Sequence, residues 1–223
     1  GGGTFEKSGT GKLVLNPNDN NSISDGIFAS AYNQLVVSGG TLEFSSFGSM
    51  PTAPASFQAD LITLKNGATL RWAGLTTLTT TQSVSTGVNL NRGVTLGPGG
   101  GTIDVANPYE ILLWQFAQGS YSGGVTFGGE RGLTKKGAGY LRLGAGNTYL
   151  GKTAVLEGNL QFANDTALGQ APDSFVADQL SIDNGAMIQT NASGWIAATR
   201  GIKIGAGGAV VNSGTGSYIF NSV

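Results

Sequence analysis

The sequence predicts an all-β chain of stacked, repeated coils, a β-solenoid, and three observations carry that expectation. Glycine fills 38 of 223 positions while charged residues make up only 11%. A helical protein would carry more charge on its solvent faces and would lose stability at each interior glycine. Short segments place apolar residues two apart, as in Leu13 and Leu15, Leu42 and Phe44, Ile62 and Leu64, and Val94 and Leu96. That period puts one set of side chains on one side of a strand and the polar neighbours on the other. Finally, the chain is two copies of one unit. Phe5 to Leu15 align without a gap on Leu133 to Leu143, 128 places on; Gly40 to Phe44 and Phe57 to Leu70 recur 118 places on, and Arg92 to Gly100 recur 108 places on.

The falling offset divides the chain. Residues 1–128 form a first unit and 129–223 a second, truncated one, in a repeat of roughly 110–130 residues. Relative to the second copy, the first carries ten extra residues at about 16–34 and ten more at about 72–91. In a solenoid such additions leave the stack as loops. The spacing of the paired apolar positions gives coils of roughly 20 residues, stacked about 4.8 Å apart into one continuous rod. Equivalent strands of the two copies are expected to stack along one axis, with Leu42 and Leu160 on one interior side and Leu64 and Ile182 on another.

Taken in order, Phe5 to Lys7 and Leu13 to Leu15 read as strands around a Gly9 and Gly11 turn, and the Asn-rich stretch from Asn16 to Gly26 reads as a polar turn. Strands at Leu42 to Phe44, Ile62 to Leu64 and Val94 to Leu96 follow, separated by Asn66-Gly67 and by Gly97 to Gly101. Glycine and Asn-Gly supply the positive φ that such corners need. The same Asn-Gly pairs also fit two-residue hairpins in a tandem of antiparallel sandwiches, and the residues alone leave that alternative open. The Thr-rich Leu75 to Thr86 is a long edge strand or an extra coil. Tyr109 to Phe116 is apolar on both faces, which fits a strand covered by an insertion or an exposed apolar and aromatic patch.

The second copy opens with Leu133, Lys135, Gly137, Gly139, Leu141 and Leu143, continues through Asn147, Tyr149 and Gly151, and ends at Gly158, Leu160 and Phe162. In this order the residues resemble the autotransporter-associated β-strand repeat of bacterial autotransporter passenger regions, over one full unit. The resemblance implies a right-handed parallel β-helix, extracellular or on the cell surface, associated with an outer membrane through regions outside this chain. It implies a non-catalytic stalk or adhesive module whose partners are neighbouring repeats of a longer chain and a host or environmental glycan or protein.

The chemistry open to the chain is narrow. Histidine and cysteine are absent, which excludes Ser-His-Asp and Cys-His nucleophiles and the common zinc sites. A net charge of −1 provides no field for nucleic acid, and no apolar run approaches a membrane span. Carboxylates remain, because parallel β-helices also carry glycan-binding, lyase and hydrolase activities. Asp19 and Asp25 lie in an Asn-rich loop whose spacing fits no calcium motif. Asp60 and Asp178 hold equivalent places and suit turn caps, whereas Asp165 and Asp173 flank a Pro-containing loop without acidic equivalents in the first copy. No catalytic, cofactor or metal residue is assigned. The candidate interaction surface is Trp72, Tyr109, Trp114, Phe116, Asp165 and Asp173. The two ends carry little charge and are expected to stack end to end between chains or to fray.

Overall fold

A strand with one apolar side cannot bury that side alone, and here each is covered by strands of neighbouring coils. The computed structural model describes residues 2–15, 32–45, 50–73, 84–87, 91–108, 110–114, 127–129, 131–144, 146–190, 193–214 and 217–220. Every strand pairing among them is parallel. The first sheet has the order β1 (Gly3–Lys7), β3 (Tyr32–Val37), β5 (Gln58–Leu64), β8 (Arg92–Leu96) and β11 (Phe127–Gly128). The second runs from β2 (Lys12–Leu15) through β4 (Thr41–Phe44), β6 (Ala68–Trp72), β9 (Gly101–Val105), β12 (Leu133–Lys136), β14 (Thr153–Val155) and β16 (Val176–Ile182) to β19 (Arg200–Ile204). The third runs from β7 (Val84–Gly87) through β10 (Glu110–Trp114), β13 (Tyr140–Leu143), β15 (Asn159–Phe162) and β17 (Ala186–Thr190) to β20 (Ala209–Asn212). A pair, β18 (Gly194–Ile196) and β21 (Tyr218–Phe220), stands apart, and the one short 3-10 turn described is Asp165–Leu168.

Among the described strands the chain passes from the first sheet to the second four times before β11, and from β6 onward it passes repeatedly from the second sheet to the third, an arrangement consistent with a β-helix or solenoid. The Asn-Gly corners do not close hairpins. Asn66 and Asn184 adopt φ of 58° and 55°, followed by Gly67 and Gly185 at 68° each, but they join strands of adjacent sheets. Their side chains donate to the carbonyls of Ser38 and Leu156, at 3.1 and 3.4 Å, one coil earlier. Most of the two insertions, residues 16–31, 74–83 and 88–90, lies outside the described residues. Of the Thr-rich segment, Val84–Gly87 is an end strand of the third sheet.

The expectation that equivalent strands stack is corrected. Leu42 belongs to the second sheet and Leu160 to the third, while Leu64 belongs to the first and Ile182 to the second. The first copy passes through the first and second sheets four times and then enters the first again at β11 before the second copy begins at β12. Every strand of the second copy that belongs to the second or third sheet therefore lies one sheet further round than its equivalent, while β18 and β21 form a pair of their own.

The core is a set of ladders one side chain wide. Along the second sheet, Leu13, Leu42, Leu70, Ile103, Lys135, Val155, Ile182 and Ile204 are register partners in turn. From Leu42 to Ile182 none is more than 1% exposed, but Ile204 in the last rung is 57% exposed. On the third sheet Leu141, Leu160 and Ile188 are fully buried and the final rung, Val211, is 49% exposed. A side chain is thus buried by the rungs before and after it. We expect Leu160→Ala to cost about 2–5 kcal/mol in denaturant unfolding, and Val210→Ala, exposed on the last coil, to cost less than about 0.5 kcal/mol.

Candidate functional site

The buried charges come first, because reactive groups in a core of this kind would have to be among them. Lys135 stands inside the apolar ladder between Ile103 and Val155 and is fully buried. Its Nζ donates to the carbonyls of Lys136, Gly137 and Glu157 at 2.6, 2.7 and 3.2 Å. The equivalent Lys7 donates to Ser8, Gly9 and Gly39 at 2.8, 3.0 and 2.9 Å. In both copies the three ammonium hydrogens satisfy carbonyls that a tight corner turns inward, in one coil and the next. Burial pushes the Lys135 ammonium down to about 7, against the pull of Asp104 and Glu157.

Between β11 and β18 the ladder is replaced by a buried polar cluster. Arg200, fully buried, donates to the carbonyls of Leu168 and Gly169, both at 2.9 Å, and from Nε to Asp165 Oδ1 at 2.9 Å. Asp165 also accepts the Ala197 N–H at 3.1 Å. Alongside, the Tyr149 and Thr153 hydroxyls share a hydrogen bond of 2.6 Å, and Asn147 donates to the Gly144 and Ala167 carbonyls at 3.1 and 2.6 Å. Burial raises the Tyr149 phenol far above its ordinary range. Arg92, the equivalent of Arg200, donates to the Pro51 carbonyl at 2.9 Å, so a buried guanidinium holds an irregular loop in each copy.

The outer face of the second sheet carries ordered rows. Glu43, Arg71, Asp104 and Lys136 are register partners of alternating sign; Arg71 bonds Glu43 at 3.1 Å and also pairs with Asp104. Beside them Thr41, Thr69, Thr102 and Thr134 form a threonine row. Next to that row a groove of about 440 Å³ crosses four successive corners, from Gly67 to Lys152. At about 4.8 Å per coil it runs on the order of 14 Å along the stack. Its floor is glycine backbone, its side is Thr102 and Thr134, and Arg131 and Lys152 stand over it with no carboxylate in the lining. Lys152 pairs with Asp178 at 2.6 Å, whereas exposed Arg131 has no partner among the described residues. The glycines are also what the stack requires, since a Cβ on Gly132 would lie 2.2 Å from the Lys152 carbonyl oxygen.

The chain is 35% identical over 154 residues to the adhesin BmaC autotransporter of Brucella suis biovar 1 (strain 1330). It is related to an autotransporter adhesin. The match takes in 68% of this chain but only 4% of that protein. No protein-family profile and no solved structure matches the chain.

Against this relationship to an adhesin, the sequence-predicted surface residues separate. Trp72 is 3% exposed and stacks edge-on against Phe44 at 5.1 Å between ring centres, so it is core rather than surface. Asp165 is turned onto Arg200, whereas Asp173 is exposed. The structure does not bring the two together in one hydrogen-bonded pair. Trp114 lies on β10, while Tyr109 and Phe116 lie outside the described residues, as do Asp19 and Asp25. Asp60 and Asp178 sit within β5 and β16 rather than in turns. They meet the equivalent residues Gln34 and Lys152 one coil earlier, and Lys152 holds the Asp178 carboxyl below its usual range. Sequence reasoning missed Lys7, Lys135, Arg92 and Arg200 as core residues and Arg131 and Lys152 as groove residues. Among the described residues no group of three or more acidic side chains could hold a metal ion, and no helix is long and apolar enough to cross a membrane.

Two outcomes follow for the buried charges. Asp165→Ala leaves the Arg200 charge without its counter-ion and is expected to cost about 3 kcal/mol of unfolding free energy. Lys135 releases its proton in the folded chain near 7, below the ordinary lysine value of about 10.5. Between those values the folded chain binds fewer protons than the unfolded one, so this group makes stability rise with pH across that window and adds no slope below it. Denaturant unfolding at pH 6 and pH 9 should show that rise in the parent and a smaller one in Lys135→Met.

Proposed function

We propose that this chain is a non-catalytic, right-handed β-helical module of a surface-displayed or secreted autotransporter-type passenger, in which two repeat units form one continuous rod. The rod holds interaction surfaces away from the cell. The observation that carries this reading is that the second and third parallel sheets run through both copies while the buried charges act as structural ties. Lys7, Lys135, Arg92 and Arg200 all bond backbone carbonyls, and Asp165 is tied to Arg200 rather than set opposite a second carboxyl group across an open cleft, the arrangement glycan hydrolysis uses. The relationship to an autotransporter adhesin supports the same reading. The test is incubation of the purified chain with neutral and acidic polysaccharides. No new reducing or unsaturated ends are expected, and cleavage abolished by Asp165→Asn or Asp173→Asn would contradict the proposal.

A second reading, glycan binding at the groove, is favoured by its two cations, its hydroxyl row and its length of about three sugar units at about 5 Å each. Acidic polysaccharide should be retained by the immobilised chain at low salt and released by salt. Arg131→Ala with Lys152→Ala should abolish retention while leaving the thermal unfolding midpoint within about 2 °C, as exposed substitutions do. Equal retention by that variant would exclude the groove.

A further inference from the structure

The groove on the side of the rod has two cations at one end, and comparison of the two copies shows that stacking does not call for them. Where the second copy has Arg131, Gly132, Thr134, Lys152 and Ala154, the first has Gly3, Thr4, Glu6, Gln34 and Val36. The core positions between them keep their character, with Leu133 in place of Phe5, Lys135 in place of Lys7 and Val155 in place of Val37. The core repeats while this strip of surface changes.

The changes all run one way. In the first copy the Thr4 hydroxyl donates to Gln34 Oε1 at 3.1 Å, and Glu6 stands beside Val36 as its register partner. In the second copy Gly132 sets no side chain next to Lys152, and Thr134, in place of the carboxylate, stands beside Ala154. Open backbone, a hydroxyl and two positive charges occupy the strip that the first copy fills with side chains and a negative charge.

The charge is confined to one end of the groove. Arg131 and Lys152 belong to adjacent coils, about 4.8 Å apart along the stack, so both side chains can meet one anionic group. Beyond them lies Asp178, which bonds Lys152 at 2.6 Å and is drawn to Lys203 as well, and the positive field stops within a coil. Toward the other end the lining is Thr134 and Thr102, then Gly99 to Gly101 and Gly67, and the nearby Lys65 is paired with Glu6 at 3.7 Å. Neither Thr102 nor Thr134 spends its hydroxyl on a partner among the described residues. Glu130 lies outside the described residues.

We propose that the groove receives the end of a glycan that carries a single anionic sugar. Its carboxylate or sulfate lies between Arg131 and Lys152, and the uncharged sugars that follow lie on Thr134, Thr102 and the glycine corners. This rests on the reading of the groove as a glycan site and narrows it from acidic polysaccharides in general to a terminally charged chain. A polyanion with one charge per sugar would carry its next charge onto Asp178 in one direction, a like charge, or onto hydroxyls and glycine in the other, so added charge gains nothing. Uncharged sugars gain hydrogen bonds from the threonine hydroxyls instead.

The test is an NMR titration of the purified chain at low salt with lactose, with lactose carrying one terminal sialic acid, with lactose carrying one terminal sulfate, and with trigalacturonate. At least one of the singly charged probes should bind about tenfold or more tightly than lactose, and trigalacturonate, with three charges, no more tightly than that probe. Thr102→Val with Thr134→Val should weaken the singly charged probe about fivefold, the worth of one hydroxyl hydrogen bond. Thr41→Val, in the same row but outside the groove lining, should change nothing. Thr134→Glu, which restores the residue of the first copy, should abolish binding with unchanged β-sheet circular dichroism. Trigalacturonate binding tenfold more tightly than either singly charged probe, and losing that affinity in Arg131→Ala with Lys152→Ala, would overturn the inference while leaving the groove a glycan site. Absence of binding by every charged probe would overturn both.

Discussion

A coil of roughly 20 residues has almost no interior of its own, and most of what is ordered in this protein follows from that constraint. Its apolar side chains are covered by the coils before and after it rather than by residues of the same coil, and its strand hydrogen bonds cross to neighbouring coils. The contrast along a single ladder makes the dependence plain, because Ile182 is fully buried while Ile204, the next rung, is more than half exposed. Stability in such a stack is a sum of neighbour terms, without one central core. The glycines at the corners serve the same end. Gly151 lets its backbone pass Gly132 at a distance that a Cβ would bring to 2.2 Å, which keeps the coils at hydrogen-bonding separation.

Polar groups inside the stack have to meet the same demand. Where a corner turns carbonyls inward, Lys7 and Lys135 supply three donors each. Where the strand ladder lapses near Asn147 and Asp165, Arg200 and Asn147 bond loop carbonyls and Asp165 accepts a backbone N–H. Charge buried in this way is tied to backbone groups at nearly every hydrogen, and the surfaces left for recognition are the outer rows and the groove beside them.

Strand faces and the duplication were legible because a period of two and a recurring order of residues are local properties of the sequence. The inward direction of Lys135 was legible too, had its parity been weighed: it stands two places from Leu133, on the side that Leu133 buries. The same holds for Lys7 beside Phe5. The one-sheet shift between copies was not legible, since it turns on β11, only two residues long in a glycine-rich stretch. Residue equivalence carries no information about how many strands separate two copies. The groove was hidden for a different reason, as it is assembled from four corners far apart in sequence, and Arg131 and Lys152 become neighbours only through stacking. Trp72, placed on the candidate surface, stands in β6 at the inward parity of Leu70.

The central claim is that the second copy continues the stack one sheet further round than the first. The most direct measurement is disulfide formation in two double variants of the otherwise cysteine-free chain. Thr102→Cys with Thr134→Cys joins register partners of β9 and β12, and it should oxidise within one molecule to near completion. Thr95→Cys with Thr134→Cys would be close only if β12 stacked on β8, as equivalent strands would without the shift, and it should remain reduced. Ready closure of the second pair, with failure of the first, would contradict the account.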